Sequence, residues 1–144
     1  MQTPSTPGTA TAAFLRSECE RVASLCTACG KCVTACPMTA YAPEVQGADP
    51  EQIVRGVLKL LRGGTSSPQA LSWVAVCTRS ALCTNACGEE GVDPAFMMRL
   101  AKMRASGALG EPPVIAVNED AQFSPRVKAF ARLTLTAKEQ AEWL

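Results

Sequence analysis

The stretch "CTACGKCVTACP", residues 26–37, holds four of the chain's eight cysteines and decides the fold. Its spacing, C-x2-C-x2-C-x3-C-P, is the run that binds iron–sulfur clusters in bacterial two-cluster proteins. A [4Fe–4S] cube needs one thiolate on each iron, and cysteines at every third residue can reach three irons on one face. Cys26, Cys29 and Cys32 have that spacing. In two-cluster proteins with this run the fourth cysteine, here Cys36, binds the other cluster.

A second stretch, "CTRSALCTNAC" at residues 77–87, repeats the first without gaps. Three cysteines align with cysteines, and Ser80 stands opposite Cys29. Both stretches lead to an Asp-Pro helix start, at residues 49–50 and 93–94. The repeat predicts a crossed assignment of ligands. Cluster one takes Cys26, Cys29, Cys32 and Cys87, and cluster two takes Cys36, Cys77 and Cys83.

Ser80 is the departure that matters most, because a serine hydroxyl is a poorer ligand for iron than a thiolate. Three outcomes are open. Ser80 marks the vacant corner of a [3Fe–4S] cluster, it is a weak oxygen ligand (or a water replaces it) on an incompletely thiolate-ligated [4Fe–4S] cluster, or Cys19 replaces it. We favour a packed helix position for Cys19. Gly88 also departs from the pattern, since proline usually follows the last cysteine; it either restores an N–H near a cluster or eases a turn.

Other uses of these cysteines fit less well. A single zinc ion needs four ligands and would leave three or four thiols unexplained. Disulfides are unexpected in a chain without an export signal, because the compartment is then reducing. Buried inert thiols are common singly, but not seven at these intervals. The chain has no histidine and no glycine-rich nucleotide loop, so we expect no catalytic residues on this chain alone.

The composition indicates an ordinary soluble protein of 144 residues, with 47% hydrophobic and 19% charged residues. A net charge of +1 gives no reason to expect a nucleic-acid partner. No apolar run is long enough to span a bilayer, and the first residues do not have the pattern of a secretory signal. We therefore expect a cytoplasmic protein with no direct membrane span.

The pattern of apolar residues predicts a mainly helical chain in three parts. Residues 1–9 are expected to form a flexible arm, residues 10–107 one domain, and residues 108–144 a C-terminal extension. Helix one, from about residue 10 to 25, is expected to bury a face made by Phe14, Leu15, Val22 and Leu25. The helix after Asp49 is expected to bury Ile53, Val54, Val57, Leu58 and Leu61. The extension has an amphipathic part and is either a partner-docking segment or a tail folded over its own domain; its apolar residues are Val127, Phe130, Leu133, Trp143 and Leu144.

From residue 26 to about residue 107 the chain resembles the helical two-cluster (alpha-helical ferredoxin-like) domain of two families. One is the small iron–sulfur (C) subunit of heterodisulfide reductases and their relatives in sulfur oxidisers. The resemblance lies in "CTACGKCVTACP", "DPEQIVRGVLKLLRGG", the tryptophan before the second motif and "GVDPAFMMRLAKMRASG". That family usually has four cysteines in motif two, so Ser80 departs from it.

The spacing C-x5-C-x3-C of motif two is similar instead to the iron–sulfur subunit of succinate dehydrogenase and fumarate reductase. There the missing cysteine goes with a [3Fe–4S] cluster, which implies that cluster two is [3Fe–4S] and is bound by Cys36, Cys77 and Cys83. The chain lacks the plant-type motif of that family. The first family is therefore the better match over the whole chain.

The resemblance implies a non-catalytic electron-relay subunit of an oxidoreductase complex. Its expected partners are a cysteine-rich heterodisulfide reductase B-type subunit and a flavin/iron–sulfur subunit. Two alternatives stay open: an iron–sulfur relay of a succinate- or fumarate-type oxidoreductase, and a non-redox assembly module whose clusters are structural.

Overall fold

The computed structural model describes residues 7–115 and 122–143, and these are mainly helical, as the sequence predicts. The helices are α1 (Pro7–Leu25), α2 (Lys31–Thr34), α3 (Pro50–Leu61), α4 (Pro68–Val76), α5 (Leu82–Ala86), α6 (Pro94–Ala105), α7 (Phe123–Thr134) and α8 (Ala137–Trp143). Two short 3-10 helices, Pro37–Tyr41 and Pro43–Val45, follow α2. No strand occurs within these ranges. None of the described helices is long and apolar enough to cross a membrane.

The main helices begin where the sequence places caps. The Asp49 carboxylate accepts the N–H of Glu51 at 3.0 Å, and Asp93 accepts the N–H of Ala95 at the same distance. Each aspartate is followed by a proline that fills the first turn, where no N–H is needed. α3 and α6 therefore start in the same way, and both are 12 residues long. The repeat in the sequence is therefore also a repeat in the structure, at least at the starts of these two helices.

The core is formed by α1, α3, α4 and α6, which contact one another. All five residues predicted for the buried stripe of α3 are buried, and Trp73 of α4 is 1% exposed. Every buried large side chain removes apolar surface from water, which stabilises the domain by about 1.5–3 kcal/mol each. The core lies directly behind the two cysteine stretches, so it fixes the loops that carry them.

The prediction for α1 was partly wrong. The helix begins at Pro7, so the last three residues of the expected flexible arm are helical. Residues 1–6 of that arm lie outside the described residues, as do residues 116–121 and Leu144. Phe14 is 60% exposed and Leu25 is 44% exposed, although both were expected in the buried face. The face that packs on the core is made of smaller side chains, Cys19, Val22 and Ala23. Small residues allow α1 to lie close to α3 and α6.

A substitution at Gly30 tests how closely the first cysteine loop packs on the start of α3. Its φ is +78°, and a Cβ at this position would lie 2.8 Å from the Pro50 Cβ and 3.0 Å from the Glu51 nitrogen. Gly30→Ala should therefore combine the backbone cost of about 1–2 kcal/mol with an overpacking cost of about 1–3 kcal/mol. Gly47→Ala is the control, because φ is +74° there and no atom lies within 4 Å of the added carbon. Thermal unfolding should show a clearly larger loss for Gly30→Ala; equal losses would contradict the close contact with α3.

Candidate metal centre

The first cysteine stretch is a loop between two helices. α1 ends at Leu25, and the Cys26 N–H donates to the Val22 carbonyl at 3.0 Å. The chain then turns through Ala28, with φ +58°, and Gly30, with φ +78°, so that Cys29 lies between two left-handed residues. Cys32 lies on α2, and Cys36 follows that helix. The four thiols are thus spread over a helix end, a loop, a short helix and its exit.

The second stretch has the same backbone shape. Cys77 follows α4, Cys83 lies on α5, and Cys87 follows α5. Arg79 has φ +63° and Ala81 has φ +61°, at the positions that align with Ala28 and Gly30. Ser80 is therefore held between two left-handed residues, as Cys29 is in the first loop. Ser80 therefore has the same place in its loop as Cys29 has in the first loop, in the fold as well as in the alignment.

This shape costs free energy. The three residues other than glycine with positive φ in the described ranges, Ala28, Arg79 and Ala81, all lie in these two loops. An L-residue in this region costs about 1–2 kcal/mol, and such strain is concentrated at functional sites. Because the same costly turn occurs in both halves, it indicates a common task, which is to turn the middle side chain of each loop, Cys29 or Ser80, toward the cavity that it lines.

The first of two small cavities contains the four thiols of the crossed set for cluster one. Cys26, Cys29, Cys32 and Cys87 all line this one narrow cavity. Val54 and Met97 close it on the core side, while Glu89 stands at its edge and accepts a hydrogen bond from the Thr27 hydroxyl at 3.0 Å. Cys32 is buried and Cys29 is exposed. The site is thus covered by protein on one side and open at Cys29.

The second cavity contains the other set. Its lining includes Cys36, Cys77, Cys83 and Ser80. The two cavities are similar in the origin of their ligands, since each takes side chains from both cysteine stretches. Cys19 lines neither cavity.

A donor without an acceptor supports the presence of a group in the second cavity. Trp73 lines this cavity, and its buried indole N–H has no hydrogen-bond partner among the described residues. A buried N–H without a partner costs about 1–3 kcal/mol. Inorganic sulfide or a ligating thiolate in this cavity would be an acceptor for such a donor. The residues therefore fit an iron–sulfur cluster at this position.

Burial controls the charge state of the thiols in the protein alone. It raises the pKa of Cys32 to about 12, and negative charge on Cys26 adds to the rise, as does charge on Cys83 in the other cavity. Burial also raises the pKa of Cys26 and of Cys83. These thiols are therefore protonated near neutral pH when no metal is bound. Iron binding must displace their protons, so cluster assembly is favoured as the pH rises.

Lys102 is a supporting residue that the sequence did not indicate. Its ammonium, on α6, donates to the carbonyl of Ala75 at 3.2 Å and to that of Cys77 at 3.3 Å. These bonds hold the end of α4 and the first cysteine of the second loop against α6. In the sequence Lys102 is one of five lysines, and only the tertiary structure shows what it contacts.

Gly88 has no structural requirement that we can identify. A Cβ there would meet no atom within 4 Å, and Gly88 is absent from the residues with positive φ. The expectation that it eases a turn is therefore not met, and nothing in the structure explains the glycine.

Cys19 is a core residue, as we favoured. It is 0% exposed on α1 and lies beside Arg104, whose side chain also pairs with Glu111. Burial raises the pKa of the Cys19 thiol, and the hydrogen bond from Arg104 offsets that rise only in part. Its surroundings are those of a neutral packed thiol.

Cys19→Ala should leave the iron content of the purified protein unchanged. The substitution removes one sulfur atom from the core, so we expect a loss of about 1 kcal/mol in stability. Iron analysis and thermal unfolding check the two expectations separately. Loss of either cluster in this variant would contradict the core role of Cys19.

The eight cysteines are all free thiols in the structure. Among the described residues, no group of three or more cysteine or acidic side chains is arranged to hold a single metal ion. In a tetrahedral zinc site the thiolates lie about 3.8 Å apart, as the Zn–S bond length requires.

Comparison with known proteins gives one match. Residues 20–41 match the family model of the 4Fe-4S binding domain (Fer4), a span that holds the whole first cysteine stretch. Neither a curated protein nor a solved structure matches the chain significantly. The match implies a [4Fe–4S] cluster and an iron–sulfur electron-transfer role. Residues 20–41 of this chain are therefore a 4Fe-4S binding domain.

Proposed function

We propose that this chain is an electron-transfer subunit that carries two iron–sulfur clusters. Cys26, Cys29, Cys32 and Cys87 would hold a [4Fe–4S] cluster, and Cys36, Cys77 and Cys83 would hold the second cluster. The observation that carries the proposal is the lining of the two cavities, because each contains one of these sets. When bound, such clusters supply one-electron oxidation and reduction.

The second cluster is proposed to be [3Fe–4S]. Ser80 occupies the loop position that a thiolate would need in order to hold a fourth iron. Iron–sulfur sites favour soft thiolate ligands over a serine oxygen, so the iron at that corner has the weakest protein ligand. The spacing of the second motif, which resembles that of the succinate dehydrogenase family, supports the same assignment.

The protein contributes position, burial and surroundings. The core residues Val54, Met97 and Met98 keep water from the inner sides of the two cavities. Cys32 and Cys83 line different cavities, and charge on Cys83 adds to the rise in the pKa of Cys32, which supports two sites that lie close together. A short separation favours passage of single electrons between them. The exposed Cys29 then marks the side at which the first cluster would approach an external partner.

The partners are proposed from the resemblance. They are a cysteine-rich heterodisulfide reductase B-type subunit and a flavin/iron–sulfur subunit, with this chain relaying electrons between them in the cytoplasm. α7 supports an additional contact, since Leu133 is 86% exposed on this amphipathic helix. The C-terminal extension, residues 108–144, would then be the docking segment.

Redox titration of the anaerobically reconstituted protein tests the function. We expect a brown sample whose visible absorption bleaches on reduction and returns on reoxidation, with two centres resolved by EPR at different potentials. Clusters that cannot be reduced reversibly would identify a structural module and overturn the relay. Isolation of the native complex tests the partners. A covalent-flavin protein or a membrane anchor among them would indicate a succinate- or fumarate-type complex instead.

A further inference from the structure

A large groove lies between α7 and the second cysteine loop. Its volume is about 720 Å³, which is within the range of small-molecule sites. Apolar and aromatic side chains make up most of its walls. On the α7 side these are Phe123, Val127 and Phe130, and on the opposite side they include Pro37, Met38 and Tyr41.

The groove adjoins the cavity proposed for the second cluster, at the position of the missing cysteine. Met38, Cys77, Thr78 and Ser80 line both spaces. The small Ser80 side chain therefore stands at the boundary between the groove and the cavity. A molecule in the groove would reach the one corner of that cavity which has no thiol.

The charged side chains that line the groove within the described residues are all cationic. Its charged lining residues are Lys102 and Arg126, and no carboxylate lines it within the described residues. The Lys102 ammonium has three N–H groups, and two of them are taken by the carbonyls of Ala75 and Cys77. The third N–H is left for an acceptor. Lys102 has no ion pair among the described residues.

We infer that this groove binds a small amphipathic carboxylate, with its apolar chain along α7 and its anionic head toward Lys102, beside Ser80. Apolar walls bind the chain because they remove it from water. A carboxylate accepts the remaining N–H of Lys102 in a charge-assisted hydrogen bond, which a neutral head group cannot match. The inference does not depend on the type of the second cluster.

Titration calorimetry with octanoate, on the intact protein purified anaerobically, tests the inference. Octanoate should bind at one site, and 1-octanol should bind at least about tenfold more weakly because it lacks the charge. Equal affinity for the two probes would overturn the anionic head, and no octanoate binding would overturn the site.

Two substitutions locate the ligand. Val127→Glu on α7 and Tyr41→Glu on the opposite wall both add a negative charge inside the groove, and each should weaken octanoate binding about tenfold or more. Leu133→Glu is the matched control, because Leu133 is on α7 but does not line the groove. Circular dichroism confirms that each variant is folded. Binding that is unaffected by the two groove variants, or is equally weakened by Leu133→Glu, would place the ligand elsewhere.

Discussion

Cys87→Ala should remove the [4Fe–4S] cluster of the first motif, although Cys87 belongs to the second. Cys87 shares a cavity with Cys26, Cys29 and Cys32, and it provides the thiol that those three cannot supply. Without it the fourth iron would have no protein ligand. We expect the iron content to fall from about seven to about three atoms per chain if the cluster is lost whole. Iron analysis with EPR of the reduced protein measures the loss.

Cys36→Ala is the reciprocal variant and makes the test selective. Cys36 lies in the first motif but lines the second cavity, so its loss should remove the second cluster and leave about four irons. Cys19→Ala serves as the neutral cysteine control. If Cys36→Ala instead removed the first cluster and Cys87→Ala the second, each motif would hold its own cluster, and the crossed assignment would be wrong.

Ser80→Cys should add one iron to the second cluster and convert it to [4Fe–4S]. The loop already has the required shape, because Arg79 and Ala81 have the positive φ angles of Ala28 and Gly30 around Cys29. A thiol at residue 80 would therefore be presented to the second cavity as Cys29 is to the first. We expect about eight irons per chain instead of about seven.

The same variant should change the magnetism of the oxidised protein. A cluster of three ferric ions has an odd number of unpaired electrons and gives an EPR signal, whereas an oxidised [4Fe–4S] cluster is diamagnetic. The signal of the oxidised wild-type protein should disappear in Ser80→Cys. Ser80→Ala is the control and should keep the signal. An iron count that stays constant in Ser80→Cys would argue against a vacant corner at this residue.

Local signals predicted much of this fold. Asp49 and Asp93, each followed by proline, marked the starts of α3 and α6, and the periodicity of α3 identified its buried stripe. These features depend on neighbouring residues, which the sequence displays directly. At the start of α8 the Thr136 hydroxyl donates to the Glu139 carboxylate at 2.7 Å, which is also a contact between near neighbours in the chain.

Features that depend on distant residues could not be predicted. Phe14 fitted the pattern of a buried face, but the structure buries Cys19 and Ala23 instead, because α1 packs closely on α3 and α6. Alanine and arginine have no preference for left-handed backbone, so nothing in the sequence indicated the turns at Ala28 and Arg79. The groove beside Ser80 could not be predicted from the sequence either, since its walls come from segments far apart in the chain.

The candidate site could be predicted from the sequence only in part. The repeat, together with the rule that the fourth cysteine of such a run binds the other cluster, predicted two sets of cysteines. Each set lines one cavity, and the assignment of the sets as cluster ligands stays a prediction. The burial of Cys32, the exposure of Cys29 and the unpartnered N–H of Trp73 required coordinates. Those three features describe how the sites are covered, which spacing alone does not determine.

Mössbauer spectroscopy of the wild-type protein, reconstituted anaerobically with ⁵⁷Fe, tests the central claim most directly. Two clusters held by thiols from both halves of the chain predict two iron populations in a ratio of about four to three. The two populations should respond separately to reduction. A single cluster, or protein that folds and joins its complex without iron, would contradict the account.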